Sequence, residues 1–327
     1  MKKTGWGILG TGSIAKLFSR AIKSTDCAYI AAVGSRTAES AEKFAEEFGV
    51  PAYGSYEQMV NRGDVDVVYI ATPNTYHYEH SMLALKAGKG VMCEKPLTIN
   101  AKEAGTLILY AKEHGLFFCE AMWPRFFPAT DKVREWLKAG VIGDVRLVTV
   151  NFGFTAPVNP ESRLFKPELG GGALLDIGVY DIAFATMVMG SDPPDSIYGG
   201  AYICETGVDG VTSVILNYGT SIVSLNCGLV TNLNNHAVIY GQNGRIEISD
   251  RFWAPVKAQY YRGGELAETY EHPYECNGYE YEIKETARCL NEGLTESPYM
   301  TCKDSLNVMK IMDEVRNQIG LKYPGEK

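Results

Sequence analysis

The lysine in the stretch VMCEKPLTIN (residues 91–100) is the first residue whose setting suggests chemistry. An apolar run that is typical of a buried strand, residues 91–93, ends on Glu94-Lys95-Pro96. A residue that precedes proline is restricted to extended backbone, so Lys95 cannot begin the helix that follows. A lysine fixed at the end of a strand is either a surface charge or a positioned catalytic group. The rest of the chain has to decide between these two interpretations.

A glycine-rich segment near the amino terminus, GILGTGSIA (7–15), has the spacing of a dinucleotide-binding turn. Gly10 would make the tight turn, Gly12 would let the backbone approach a pyrophosphate, and Ala15 would let the helix pack on the sheet. The amino terminus of that helix offers N–H donors to an anion. The alternative, a glycine-rich surface turn, explains neither its place after the first strand nor the helix that follows.

The end of the second predicted strand carries Gly34-Ser35-Arg36-Thr37, with no carboxylate. An acidic residue at this place binds the adenosine ribose of NAD, whereas an arginine accommodates the 2′-phosphate of NADP. We therefore expect NADP as the preferred cofactor, with NAD possible. The alternative is that Arg36 stacks on adenine in an enzyme that accepts either cofactor.

An aspartate and a tyrosine share one face of the predicted apolar helix GALLDIGVYDIAFATMVMG (172–190). Asp176 and Tyr180 are four residues apart, so they lie on the same side of a helix. Polar groups in a buried helix need partners. An unperturbed tyrosine has a pKa near 10, and a lysine ammonium nearby would lower the pKa of Tyr180 toward the range of a general base. The alternatives are a core tyrosine that bonds to Asp176, and an aspartate that only orients Tyr180.

The elements that position these residues form two patterns along the chain. Over the first 120 residues, five short apolar runs alternate with helical stretches, which predicts a parallel sheet covered on both faces. From about residue 196 to 270, strand follows strand with turn signals at Asp209-Gly210, residues 217–220 and Asn243-Gly244. We predict an α/β Rossmann domain over 1–122. We predict an α+β domain over 123–327, built on a large, mainly antiparallel, open-faced sheet. One alternative is that its last helix packs back on the first domain.

Composition excludes several classes of protein. The 327 residues are 46% hydrophobic and 21% charged, and the net charge is −8 without any basic block, which argues against nucleic-acid binding. No run approaches 18 uninterrupted apolar residues, and no signal-peptide pattern is recognisable, so we expect a cytoplasmic protein without a membrane span. The eight scattered cysteines are expected to be reduced thiols, and no cluster has metal-ligand spacing.

With these motifs in view, the chain resembles the Gfo/Idh/MocA oxidoreductase family. The segments that carry the resemblance are GILGTGSIA, SRT, ATPNTYHYEHSMLALKAGKGVMCEKPL and GGGALLDIGVYDI. The resemblance itself covers essentially the whole length. In that family the lysine of the EKP segment lies beside the nicotinamide and the substrate, which maps to Lys95 and Pro96. The resemblance thus implies that Lys95 is catalytic.

The family's second signature differs here. It is an aspartate followed by a glycine two residues on, a histidine four on and an aspartate seven on, whereas this chain has Asp176, Gly178, Tyr180 and Ala183. Tyrosine in place of histidine is unlike the inositol dehydrogenases. It is similar to the branch that contains glucose–fructose oxidoreductases, xylose dehydrogenases and dimeric dihydrodiol dehydrogenases. The segment CEAMWPRFFPA (119–129) is also similar to the dihydrodiol enzymes.

The predicted site follows from these motifs and from the resemblance. The catalytic residues are Lys95, Tyr180 and Asp176. The expected cofactor contacts are Gly10, Gly12, Ser13, Ile14, Ser35, Arg36, Thr72, Pro73, Asn74, His77, Glu94 and Lys95, with His77 touching either nicotinamide or substrate. The expected substrate contacts are Trp123, Arg125, Phe154, Phe165 and Tyr180, unless the phenylalanines belong to the core.

These residues predict hydride transfer between NADP or NAD and a secondary alcohol of a sugar, polyol or trans-dihydrodiol, without a metal. The open sheet predicts a homodimer or homotetramer. The rival function is a non-catalytic NAD(P)-binding sensor with the same fold. Retention of both Lys95 and Tyr180 counts against that rival, because a sensor has no use for an activated tyrosine.

Overall fold

The structure, a computed structural model, describes residues 2–326 as fourteen β-strands and nine α-helices. The first elements are β1 Thr4–Leu9, α1 Ser13–Lys23, β2 Ala28–Gly34, α2 Ala38–Phe48, β3 Ala52–Tyr53, α3 Tyr56–Val60, β4 Val67–Ile70, α4 His77–Lys86, β5 Gly90–Glu94, α5 Ala101–Glu113 and β6 Phe118–Ala121. They are followed by α6 Pro128–Lys138, β7 Val145–Gly153, α7 Val179–Met189, β8 Ser196–Ile203, β9 Asp209–Asn217, β10 Ile222–Gly228, β11 Ala237–Gly241, β12 Gly244–Ile248, β13 Lys257–Arg262, β14 Glu265–Glu271, α8 Glu280–Asn291 and α9 Cys302–Ile319.

The first six strands form one parallel sheet in the order β3-β2-β1-β4-β5-β6. Strands β1, β4 and the first four residues of β5 are buried on both faces, which explains their near-continuous apolar sequence. The strand order reverses between β1 and β4, and ligands of open α/β sheets bind beside the carboxyl ends of strands at such a point. The Rossmann prediction is confirmed, and β3 is an added strand of two residues.

The remaining eight strands form the second sheet, in the order β14-β13-β12-β11-β7-β10-β9-β8. Only β7 and β10 are parallel neighbours; every other pair is antiparallel. In β9 and β10 buried residues alternate with more exposed ones, as a sheet with one packed face requires. The predicted second fold class is therefore confirmed.

The chain divides into two compact units whose boundaries differ from the predicted ones. The first unit comprises residues 1–98, 102–123 and 274–305, and the second comprises 99–101, 124–273 and 306–327. Helix α8 therefore belongs to the Rossmann unit, where it lies against α1. Most of the last helix, α9, belongs to the second unit, although the sequence suggested a return to the first. Helix α8 buries Ile283, Ala287 and Cys289, and this apolar stripe accounts for its packing.

Two sequence features near the sheets differ from the predictions. Asp209-Gly210 begins β9 instead of forming a turn, because the Asp209 carboxylate is buried and accepts hydrogen bonds from Leu174 N and Thr212 Oγ1 at 2.7 and 2.6 Å. The predicted helix over 172–190 begins as a π-helical turn, Leu174–Gly178, before α7. The helical stretch 167–189 is long and apolar enough to cross a membrane by composition, but 78% of its apolar window is buried in the fold.

Candidate active site

The glycine loop of the first unit has the backbone that the sequence predicts. Gly10 adopts a φ of +108°, and a Cβ at this position would lie 2.6 Å from the carbonyl oxygen of Ala71. Only glycine combines this dihedral angle with so close an approach to the end of β4. The first glycine of the motif is therefore required by the fold itself.

The amino terminus of α1 is open and has the properties of an anion site. Gly12 is its N-cap and makes no side-chain cap bond, and a Cβ on Gly12 would meet no atom within 4 Å. Gly12, Ser13 and Ile14 are all exposed. Unpaired N–H groups at a helix start, beside open space, fit the pyrophosphate of a dinucleotide.

The end of β2 presents a cation and no carboxylate. Ser35 is buried, with its Oγ 3.5 Å from Thr11 Oγ1, while Arg36 is exposed. Burial raises the pKa of Tyr56, and the charge of Arg36 opposes that rise. Burial also lowers the pKa of His80, and the charge of Arg36 adds to this effect. Arg36 is thus a solvent-accessible cation at the strand end where an adenosine ribose is bound.

The two histidines of the segment after β4 are buried. His77 is fully buried, with Nε2 2.9 Å from Thr72 O and Nδ1 2.8 Å from Pro96 O. Burial lowers the pKa of His77 to about 4. His77 therefore joins two loops and is not placed to touch a ligand, contrary to the prediction. His80 is also buried, with Nδ1 3.0 Å from Thr72 Oγ1.

The turn that carries the lysine is held by the residues after it. The peptide bond between Lys95 and Pro96 is cis. The Leu97 N–H donates to Glu120 Oε1 at 3.0 Å, and the Pro96 carbonyl is bonded by His77. Lys95 itself is half-buried. The backbone on which Lys95 stands is therefore fixed by β6 on one side and α4 on the other.

A cluster of acidic and aromatic side chains lies beside this turn in the first unit. Glu94 Oε1 accepts a hydrogen bond from the Tyr69 hydroxyl. Burial raises the pKa of the Glu94 carboxyl, against the opposing effects of Tyr69 and the Lys95 charge. Burial, and secondarily the charge of Glu94, raises the pKa of Glu282 on α8. Burial also raises the pKa of Tyr279, and the charges of Glu94 and Glu282 add to this effect. Sequence reasoning identified Glu94 alone, because its companions come from β4 and from the distant segment that starts at residue 274.

In the second unit the helix that carries the predicted pair is pressed against the sheet. Gly172 adopts a φ of +117°, and a Cβ there would lie 2.2 Å from Asp209 Oδ1. A Cβ on Gly178 would lie 2.8 Å from the Sγ atom of Cys227 on β10. Two glycines therefore allow the helix to start close to buried polar and apolar groups of the sheet. The π-helical turn between them is an irregularity of a kind that is frequent at functional sites.

Asp176 and Tyr180 follow from this placement. Asp176 is only 6% exposed, and its Oδ1 accepts a hydrogen bond from Arg163 Nη1 at 2.8 Å. Tyr180 is half-buried, with its ring centroid 5.9 Å from that of Phe152 on β7. Arg163 was not identified from the sequence, since a single arginine in an irregular loop carries no pattern.

An aromatic wall lies beside Tyr180. Phe152 stacks on Trp253 with ring centroids 3.7 Å apart, and the half-buried Phe154 lies 6.3 Å from Phe152. Phe252 packs edge-on against Phe152 at 6.1 Å. Of these rings the sequence predicted only Phe154, and the FWAP segment that contributes two of them has no periodic signal.

Three other predicted substrate contacts have different surroundings. Phe165 is fully buried in the core of the second unit, which agrees with the core alternative. Arg125 is 5% exposed, and its Nη2 donates to Ala183 O and Thr186 Oγ1 at 2.7 and 3.0 Å, so it ties its loop to α7. Trp123 is half-buried and stacks on Tyr279, with centroids 4.7 Å apart. Among residues 2–326 no three His, Cys, Asp or Glu side chains could hold a metal ion together.

Comparison with family models gives two matches. Residues 4–121 match the model described as an oxidoreductase family with an NAD-binding Rossmann fold. Residues 130–247 match the Gfo/Idh/MocA C-terminal domain.

Individual proteins are similar over the whole length. Trans-1,2-dihydrobenzene-1,2-diol dehydrogenase from Xenopus laevis is 37% identical over 331 residues, which cover 98% of this chain and 99% of that protein. The Homo sapiens enzyme of the same name is 35% identical, with 98% of each chain covered.

Solved structures have the same fold. A 3-ketoreductase from Actinomadura kijaniata in complex with NADP and TDP-benzene has a TM-score of 0.84 and 27% identity, with 97% of this chain and 98% of that one covered. An aldose-aldose oxidoreductase from Caulobacter crescentus complexed with glycerol has a TM-score of 0.88 at 23% identity, with 97% of each chain covered.

Proposed function

The chain belongs to the Gfo/Idh/MocA oxidoreductase family, and on this premise we propose that it oxidises a secondary alcohol of a cyclic trans-dihydrodiol, reversibly, with NADP as the preferred cofactor. Sugars and polyols are the neighbouring substrate classes. The observation that carries the proposal is full-length similarity to trans-dihydrodiol dehydrogenases, together with retention of Lys95 and Tyr180.

The aromatic wall supports a cyclic, uncharged substrate. Phe152 lies beside Tyr180 and is itself buried against Trp253, while the half-buried rings of Phe154 and Trp253 retain exposed surface. Aromatic surface packs well against the apolar parts of a ring. Arg163 carries a charge near Tyr180, but this charge is paired with Asp176. A neutral diol or sugar ring matches this lining better than a carboxylate substrate.

The residues of the first unit fit a dinucleotide. The open amino terminus of α1 at Gly12–Ile14 would hold the pyrophosphate, and Gly10 keeps the preceding turn tight. Arg36 would pair with a 2′-phosphate, since no carboxylate at the end of β2 competes for a ribose hydroxyl. When bound, the nicotinamide supplies the hydride acceptor for oxidation or the donor for reduction.

The proposed proton chemistry uses three side chains. Tyr180 takes the hydroxyl proton of the alcohol as the carbinol carbon loses its hydride, and returns a proton in the reverse direction. The Lys95 ammonium stabilises negative charge as it develops on the oxygen. Asp176, nearly buried and paired with Arg163, would orient Tyr180 on the shared helix face. The products of oxidation are a ketone, one proton and the hydride that the nicotinamide would accept.

The direct test is a substrate panel with NADP and with NAD. Purified protein is assayed with cyclic trans-dihydrodiols, aldoses and polyols, and the appearance of reduced nicotinamide is followed by absorbance. We expect the highest kcat/KM with a trans-dihydrodiol and NADP. Turnover restricted to aldoses would refute the substrate assignment. Cofactor binding without turnover of any compound would favour the sensor.

The catalytic assignment predicts a large loss on removal of either side chain. Lys95→Met and Tyr180→Phe should each lower kcat by about two to four orders of magnitude, and the double variant should be little worse, because groups that act as a unit are not additive. Cofactor affinity should change by less than about tenfold. Lys112→Met, at an exposed lysine of α5, is the matched control. If Lys95→Met keeps more than about a tenth of the wild-type turnover, as an exposed charge would allow, Lys95 is not catalytic.

A further inference from the structure

An arginine that neither the sequence motifs nor the proposed mechanism includes is held beside the proposed site in the second unit. Arg163 lies in a turn. Phe165, two residues after it, is fully buried and anchors this turn. The Phe165 N–H bonds to Ser162 O at 3.0 Å, and the Gly172 N–H bonds to Leu164 O at 2.9 Å. The position of Arg163 is therefore set by the core and not by the surface.

A glycine brings this turn against the start of the helix that carries Asp176. A Cβ on Gly171 would lie 2.8 Å from Leu164 O and 2.9 Å from Arg163 O. Any larger residue would push the turn away from the helix. The close approach places Arg163 Nη1 2.8 Å from Asp176 Oδ1.

The two charged side chains differ in their exposure to solvent. The Asp176 side chain is 8% exposed, whereas the Arg163 side chain is 65% exposed. A nearly buried carboxylate needs a counter-charge, and a guanidinium stays protonated at any working pH. Asp176 raises the pKa of the Arg163 guanidinium, and Tyr180 adds to this effect. Arg163 is thus electrostatically coupled to both residues.

We infer that Arg163 is a positioning residue that neutralises Asp176, so that the carboxylate does not hinder ionisation of Tyr180. The inference rests on the proposed role of Tyr180 as the general base. An aspartate one helical turn from a catalytic phenol would by itself favour the protonated phenol, because like charges repel. With Arg163 paired to it, the aspartate adds no net charge beside the phenol.

The charges of the pair give the expected direction of each shift. Asp176 belongs to the same helix as Tyr180, and Arg163 belongs to the turn packed on the start of that helix. The ring that β7 contributes beside Tyr180, Phe152, is uncharged. Arg163→Met removes a positive charge that is paired with Asp176, so the pKa of Tyr180 should rise. Asp176→Asn removes a negative charge, so the pKa of Tyr180 should fall.

The test is a four-member cycle of wild type, Arg163→Met, Asp176→Asn and the double variant. Ionisation of Tyr180 is read directly by carbon-13 NMR of protein labelled at tyrosine Cζ, with the signal assigned by its loss in Tyr180→Phe. We expect the pH midpoint to rise by about one pH unit in Arg163→Met, to fall in Asp176→Asn, and to return close to the wild-type value in the double variant. Arg163→Lys, which keeps the charge, should stay near the wild type. If Arg163→Met fails to fold, the predicted fall in Asp176→Asn carries the test.

Two readouts separate this inference from the proposed function. If the midpoint of Tyr180 is the same in all four proteins, the inference is refuted, whatever the activities are. If Arg163→Met raises KM without moving either the midpoint or the pH profile of kcat/KM, Arg163 is a substrate contact and the inference is also refuted. If the midpoints follow the predicted cycle but the pH profile of kcat/KM does not, Arg163 controls Tyr180 as inferred, and Tyr180 is not the catalytic base.

Discussion

At the scale of single residues, Arg36 determines the expected cofactor preference. It is exposed at the end of β2, where no carboxylate competes for a ribose. We expect the wild type to bind NADP at least about tenfold more tightly than NAD, which corresponds to about 1.4 kcal/mol. Arg36→Ala should erode this preference and leave NAD binding almost unchanged, as measured by fluorescence quenching.

The control for Arg36 is Arg20→Ala. Arg20 is exposed on α1 of the same unit and pairs with Glu47, so its removal should affect both cofactors equally. Equal affinity of the wild type for NADP and NAD would contradict the role of Arg36 in selecting a 2′-phosphate.

The burial of the Glu282 carboxyl on α8 leads us to expect an unusual pH dependence of the free energy of unfolding. It is fully buried, and neither carboxyl oxygen bonds to another group within residues 2–326. Burial raises the pKa of Glu282 well above the ordinary value, and the charge of Glu94 adds to this rise. An acid with a raised pKa in the folded state favours folding while it is protonated. This contribution is lost as the pH rises from about 4, where the unfolded carboxyl ionises, toward the folded pKa.

The expected result is that Glu282→Gln is more stable than the wild type by about 1–3 kcal/mol at neutral pH. The difference should shrink on acidification and vanish near pH 4, because the wild-type carboxyl is then neutral in both states. Urea unfolding at several pH values measures this. Glu113→Gln, at an exposed position of α5, should change the free energy of unfolding by less than about 0.5 kcal/mol. A variant less stable than the wild type at every pH would show that the carboxylate has a partner.

How much of the site the sequence predicts depends on how local each signal is. The glycine loop, Arg36, the EKP turn and the Asp176/Tyr180 pair are each contiguous or helically spaced, and motif reasoning identifies them. Within the first unit Tyr69, Tyr279 and Glu282 come together through packing between distant segments, so no spacing predicts them. The pairing of Arg163 with Asp176 in the second unit is likewise not marked by any spacing. His77 was predicted to contact a ligand from its place at a strand edge, whereas its ring is fully buried, with each ring nitrogen within 2.9 Å of a backbone carbonyl oxygen.

At the scale of elements, periodicity predicts most helices and strands because each buries a regular face. Helix α5 at Ala101–Glu113 and strand β7 at Val145–Gly153 are elements of this kind. The failures have physical reasons. Strand β3 has two residues and therefore no measurable period. The π-helical turn Leu174–Gly178 depends on tertiary packing, which a window of sequence does not contain.

The contact between the helix that carries Tyr180 and β10 leads to a prediction at this scale. Alanine normally stabilises a helix relative to glycine, but a Cβ on Gly178 would lie 2.8 Å from the Sγ of the buried Cys227. Gly178→Ala should therefore destabilise the fold by about 1–3 kcal/mol and lower turnover, because it displaces the turn before Tyr180. Thermal and urea unfolding measure the first effect.

Cys227→Ala supplies the matched suppressor. In the double variant the added methyl occupies space that the sulfur leaves, so the two changes should be less harmful together than their sum. Strict additivity would mean that the helix and the strand do not approach each other as closely as the structure indicates.

At the scale of the whole molecule, the second sheet has an open face that carries apolar side chains. Ile222, Leu147, Tyr240, Arg245, Tyr261 and Leu266 are successive cross-strand neighbours on six strands. Ile222 and Tyr240 are 38% and 37% exposed, and Arg245 lies over the Tyr261 ring at 3.9 Å. A contiguous row of partly exposed side chains, mostly apolar, is typical of an interaction surface.

The edges of the same sheet are less suited to pairing than its face. The outer strand β14 carries three glutamates, Glu265, Glu268 and Glu271, and charged edge strands resist pairing. On the opposite edge the Gly199 N–H donates to Gln318 Oε1, and Gln318 Nε2 donates to Ile197 O. Association through the face is therefore favoured over extension of the sheet.

We accordingly expect a homodimer or homotetramer that associates through this face. Because an aspartate buried at an apolar contact would lose its hydration without gaining a partner, Ile222→Asp/Tyr240→Asp should dissociate the assembly. Light scattering at micromolar concentration should then give the mass of one chain, while the wild type gives a multiple of it.

Leu109→Asp, at a 55% exposed leucine of α5, is the matched control and should leave the mass of the assembly unchanged. A wild type with the mass of a single chain, or a double variant that stays assembled, would show that the open face is not the contact. Thermal unfolding of the double variant checks that the substitutions act on association, because both side chains already face solvent within the single chain.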